Sequence, residues 1–112
     1  MPLTLLSDLN AVRRTLLAHA PEIQRACHAA GPDTMVRVLV GQDGSWSGIT
    51  RIPRGIPRYT LDGHPHLELL ISEPLRASTD AGVQRVIARW IRTRQAQQDV
   101  RRRQIIRQEF SE

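Results

Sequence analysis

Residues 34–52, TMVRVLVGQDGSWSGITRI, decide the fold. From Thr34 to Val40 the chain alternates, with Val36, Val38 and Val40 on one face of a strand and Arg37 on the other. Gly41-Gln42-Asp43-Gly44 then supplies a turn, because Asp-Gly accepts positive φ. Ser45 to Ile52 makes the return strand, weakened by Gly48. A hairpin this apolar on one face needs a cover, and the flanking sequence provides helices on both sides.

Upstream, Ser7 or Asp8 can cap a helix over 7–19, in which Leu9, Val12, Leu16 and Leu17 recur near helical spacing. Pro21 breaks the ladder or opens a second turn, with Glu22 well placed against the helix dipole. Ile23, Ala26 and Cys27 continue the stripe until Gly31-Pro32 ends it. Two short helices, or one kinked helix, therefore fill 7–30.

Downstream of the hairpin, Pro53 to Pro57 reads as a loop or bulge, 58–61 as a short edge strand, and 66–72 as a strand pointing Leu67, Leu69 and Ile71 inward. Three or four antiparallel strands in a meander follow from this. Ser78 or Thr79 caps the last helix, and Asp80 suits its first turn. Val83, Val86, Ile87, Trp90 and Ile91 follow i, i+3, i+4, i+7, i+8, so this helix should lie across the sheet. The stripe stops at Ile91, yet helix-forming residues run on to Phe110 without Gly or Pro. A helix from Thr79 to Phe110 would span ~48 Å, more than the ~26–30 Å diameter expected of such a domain. The expected fold is α+β: a compact domain over 1–92, and an arginine-rich helical extension over 93–112 that projects beyond it.

Charge is concentrated in that extension. The chain of 112 residues has 16 basic and 11 acidic residues, a net +5, and every basic residue is Arg. Residues 82–108 hold eight of the arginines and only Asp99 as an acid. Such asymmetry suits an element that faces nucleic acid or an acidic partner, or equally a solvated helical face in an arginine-rich chain. Arg85, Arg89, Arg92, Arg103 and Arg107 share one narrow helical sector opposite the apolar stripe, the geometry for lying along a phosphate backbone. Arg101 and Arg102 add to the same segment. Arg54 and Arg58, with Arg51 in a loop of two prolines and a glycine, offer either an anion-binding rim or, the favoured alternative, a polar connection whose arginines neutralise neighbours such as Asp62. The stretch 93–108, TRQAQQDVRRRQIIRQ, resembles in composition the arginine-rich helical peptides that insert into RNA grooves. No aromatic is expected on the arginine face, which disfavours base-by-base reading of single strands and favours backbone or shape recognition.

Other constellations compete. His64, His66 and Glu68 alternate onto one strand face and offer two imidazoles and a carboxylate, part of a metal site or of a metal-dependent nuclease. The alternative pairs His66 and Glu68 with Arg37 or Arg51 across the sheet. Cys27 beside His28 is no nucleophile pair, because helix neighbours point about 100° apart. Neither a Gly-rich phosphate loop nor a CxxC pair occurs, and no cofactor is implied.

Ile105, Ile106 and Phe110 form a second apolar cluster out of reach of the first core, which suggests a two-fold homodimer. No apolar run approaches the ~18 residues of a membrane span, so a cytoplasmic domain is expected. The leading functional expectation is a small basic non-enzymatic module on RNA or DNA backbone. The competitor is a protein-interaction factor, such as an inhibitor, adaptor or assembly protein of a phage or mobile element, that grips an acidic protein surface with the same helix.

Overall fold

The structure, a computed structural model, describes residues 8–55 and 66–110, with the side chains of Ile105, Gln108, Glu109 and Phe110 outside that description. Helices α1 (Leu9–Ala18) and α2 (Ala20–Ala30) precede strands β1 (Thr34–Gly41), β2 (Trp46–Pro53) and β3 (His66–Ile71), and α3 (Asp80–Phe110) closes the order. The strand expected at 58–61, together with Arg58 and His64, lies outside the described residues.

Local chemistry sets the element ends. The Asp8 carboxylate accepts the Ala11 N–H at 3.1 Å, satisfying an orphan donor of α1. Pro21 sits in the first turn of α2, where its missing N–H costs nothing, and Gly31 ends that helix at φ 74°. At α3, the Thr79 hydroxyl accepts the Gly82 N–H at 3.0 Å.

β1 is the middle strand, and the order is β2-β1-β3 with antiparallel pairing throughout. This corrects the meander, in which the third strand would lie beside the second. The cause is burial. Val36, Val38 and Val40 have no accessible surface, so β1 is the strand that most needs neighbours on both edges. Register sets Ile71, Leu69 and Leu67 beside Val36, Val38 and Val40, making one apolar block. β2 has an irregularity opposite Leu39/Val40, and its Ser47, Thr50, Arg51 and Pro53 are exposed, which only an edge strand tolerates.

All three helices cover the same sheet face. Val12 and Leu16 of α1, Ile23 and Cys27 of α2, and Val83 and Ile87 of α3 close over the valine column. The hairpin turn docks on α1, where the Thr15 hydroxyl donates to the Gly44 carbonyl. Trp46 stacks on His19, with ring centroids 3.8 Å apart and planes 5° from parallel.

α3 packs on α1, α2 and the β3 side of the sheet, with Val86, Trp90 and Ile91 half-buried. Beyond Ile91 no described side chain of α3 is buried. The helix is nonetheless continuous over 31 residues, ~46 Å by helical rise. The molecule measures 54 × 29 × 21 Å, so roughly the last four turns stand clear of the domain. None of the described helices is long and apolar enough to cross a membrane.

Candidate functional site

The arginine face of α3 begins over the domain body. After β3 the chain turns through Pro74 to Ala77 and crosses the first turn of α3 at Gly82. A Cβ at Gly82 would overlap the Arg76 carbonyl oxygen and lie 3.1 Å from the Ala77 Cα, so only glycine permits this crossing. The consequence is a groove of about 490 Å³ beside the β3 edge. Leu70 and Val86 line its apolar part, and Arg76, Arg85, Arg89 and Arg92 line its cationic part. Arg76 pairs with Glu73 at 3.2 Å on the rim, where both side chains are mostly exposed. A second groove of about 410 Å³, between α1 and α3, brings Arg13 to the other side of Arg85.

Farther along, Arg103 and Arg107 are exposed on the same helical sector. At ~100° per residue, the five arginines 85, 89, 92, 103 and 107 fall within ~60° of one another, whereas Arg101 and Arg102 point more than ~80° away from that sector. Arg101 and Arg102 therefore belong to the same cationic segment, as the sequence implied, but not to this face. Arg94 also departs from it and lies over the Trp90 ring, 5.2 Å from the centroid.

Among the described residues, no ion pair reaches this face. The ion pairs among the described residues are His19–Glu22, Arg37–Glu68 and Arg76–Glu73, and none includes an arginine of α3. Asp99 is hydrogen-bonded to Gln95. Arg85/Arg89 and Arg103/Arg107 are like-charge pairs at i,i+4, each destabilising by roughly 0.2–0.5 kcal/mol. An anion placed between such a pair would offset that repulsion.

The remaining expected site residues are dispersed. Arg54 donates from Nε to the Pro32 carbonyl at 2.9 Å and from a terminal nitrogen to the Ser72 carbonyl, so it ties two loops together. His66 bonds the Ser47 hydroxyl at 3.1 Å, and Glu68 lies 3.9 Å from Arg37, the cross-strand pairing that the sequence offered. Among the described residues, no three His, Cys, Asp or Glu side chains are grouped to hold a metal. Cys27 is fully buried, and burial pushes its thiol up to about 11. Ile106 is 53% exposed and Val100 52%.

Sequence reasoning missed Arg13 and Arg76. Gly82, an isolated glycine in the first turn of an otherwise strong helix, was the available signal for the close crossing that positions Arg76.

Both tryptophans are occupied away from the arginine face. Trp46 is under His19, and Trp90 donates its indole N–H to the Glu68 carbonyl at 3.2 Å. No family model, curated protein or solved structure matches this chain.

Proposed function

We propose that this chain is a small non-enzymatic module that binds the backbone of RNA or DNA, laying the arginine face of α3 against phosphates. One observation carries the reading: Arg85, Arg89, Arg92, Arg103 and Arg107 are exposed along a single helical sector, with no carboxylate of the described chain paired to them. Guanidinium offers a planar fork of donors that fits phosphate oxygens two at a time. Binding along such a face is backbone recognition, which positions the protein without reading bases. Partner and protein would meet in the cytoplasm, and the exposed Ile106 supports self-association of the projecting tails.

The test is fluorescence anisotropy with a labelled 20-nucleotide probe, single-stranded and duplex, at rising salt. The triple variant Arg89→Glu, Arg92→Glu, Arg103→Glu changes exposed side chains only, so circular dichroism should match the parent while binding is lost. Retained binding by the folded triple variant overturns the proposal.

A second reading has its own support. Val100 and Ile106 are half-exposed on the projecting helix, and Leu75 is 65% exposed near the groove. Apolar side chains among arginines suit a protein-interaction factor whose partner presents an acidic surface. In that case Ile106→Asp reduces capture of the partner more than any single arginine change does.

A further inference from the structure

The arginine face of α3 is interrupted, and the interruption has a regular shape. Arg85, Arg89 and Arg92 form one cluster over the domain body, and Arg103 and Arg107 form another on the projecting part. Arg92 and Arg103 are 11 residues apart, ~16 Å along the axis and within ~20° of the same direction. Between them, the positions nearest this sector are Ala96, Asp99 and Val100, none of them cationic. Asp99 is an acid where a phosphate track would want a base.

We infer that α3 straddles a groove of a nucleic-acid duplex, with Arg85, Arg89 and Arg92 on one phosphate bank and Arg103 and Arg107 on the other. The inference rests on the function proposed above and narrows its substrate class to double-stranded nucleic acid. A B-form major groove is ~12 Å wide, with phosphates on both rims, and a gap of ~16 Å between the nearest arginines sets one cluster on each rim. Over the groove itself there are no phosphates to neutralise. Cations are therefore not required over that interval, and Gln95 and Asp99 face base edges or groove water there. The wide minor groove of A-form RNA presents the same two-rail chemistry. A single strand is a poorer match. It would be served by an unbroken line of cations and by aromatic platforms for its bases, whereas Trp46 and Trp90 are both engaged elsewhere.

The decisive experiment keeps the charge and moves it. In the variant Ala96→Arg, Val100→Arg, Arg103→Gln, Arg107→Gln, the two distal guanidiniums stay on the same helical sector but close the gap to one turn. All four positions are exposed, and the net charge is unchanged. Wild type and variant are titrated by anisotropy against a mixed-sequence 20-bp DNA duplex, the matching RNA duplex and each single strand. Straddling predicts that wild type binds at least one duplex ~10-fold or more tighter than the single strands. The relocated variant loses ~10-fold on that duplex, as expected when two phosphate contacts are forfeited, and loses nothing on single strands. The DNA and RNA arms tell which duplex is preferred. Equal duplex affinity in the two proteins overturns the straddle while leaving backbone binding intact, as does a wild-type preference for single strands. Failure of wild type to bind any of the four probes overturns both readings.

Discussion

If the five aligned arginines each neutralise a duplex phosphate, removing two of them changes how steeply binding depends on salt. Each neutralised phosphate on B-form DNA contributes about 0.9 to the log–log slope. Five contacts give a slope of about −4.5, so affinity falls ~500-fold between 50 and 200 mM salt. The variant Arg103→Gln, Arg107→Gln should give about −2.7, a fall of only ~40-fold over the same range. The control is Arg101→Gln, Arg102→Gln, which removes equal charge from the same exposed segment but from directions outside the sector. Its slope should stay within about one unit of wild type. Glutamine is a good helix former, and none of the four arginines has an ion pair among the described residues, so the fold is untouched. Anisotropy at five salt concentrations resolves these slopes. Equal slope changes for the two double variants would show that charge density alone governs binding, and the argument from alignment would be refuted.

Three further outcomes follow from the packing. Gly82→Ala gains ~1 kcal/mol of helix propensity but drives a Cβ into the Arg76 carbonyl, an overpacking cost of ~1–3 kcal/mol against backbone. The backbone term wins, so the urea midpoint should fall and binding should weaken as Arg76 is displaced. Gly44→Ala should be worse, at about 2–4 kcal/mol, because φ is +91° and the new Cβ meets the Ala11 backbone carbon at 2.9 Å. Cys27 should resist thiol reagents until the protein unfolds. Its unfolded thiol ionises from about 9.0, whereas the folded one keeps its proton to about 11. That contribution to stability is therefore complete below pH 9 and is lost as pH rises toward 11. Cys27→Ala should lack this alkaline loss in denaturant titrations.

What was legible in the sequence was whatever depends on short-range periodicity. Val36, Val38 and Val40 announce a strand, and Val83 through Ile91 announce a helix, because side-chain direction repeats every 2 or 3.6 residues whatever the rest of the chain does. Strand order is a different kind of quantity. A meander is the shortest connection, but β3 joins β1 because the valine column has an apolar partner to gain there, while β2 with its exposed Ser47 and Thr50 has little to offer. That comparison is between elements and leaves no periodic trace. Arg54 is a case of the same kind: the Pro32 and Ser72 carbonyls that engage it come from distant segments and leave no trace in its loop composition.

The arginine face was readable because a helix converts spacing directly into direction, and the same arithmetic separates Arg101 and Arg102 from it. The groove was not, since it exists only where the loop carrying Arg76 crosses Gly82. These two parts depend on different forces, and that has a functional consequence. Burial of Val83 and Ile87 anchors the first turns of α3 and holds the proximal arginines rigidly over the domain. The distal turns have no such burial and rest on helix propensity and on continuity with the anchored turns. Two arginine clusters on one helix thus differ in stiffness as well as in position. On the duplex-straddling proposal, the proximal cluster would set where the duplex docks, and the distal cluster, free to bend slightly, would adapt to the second line of phosphates.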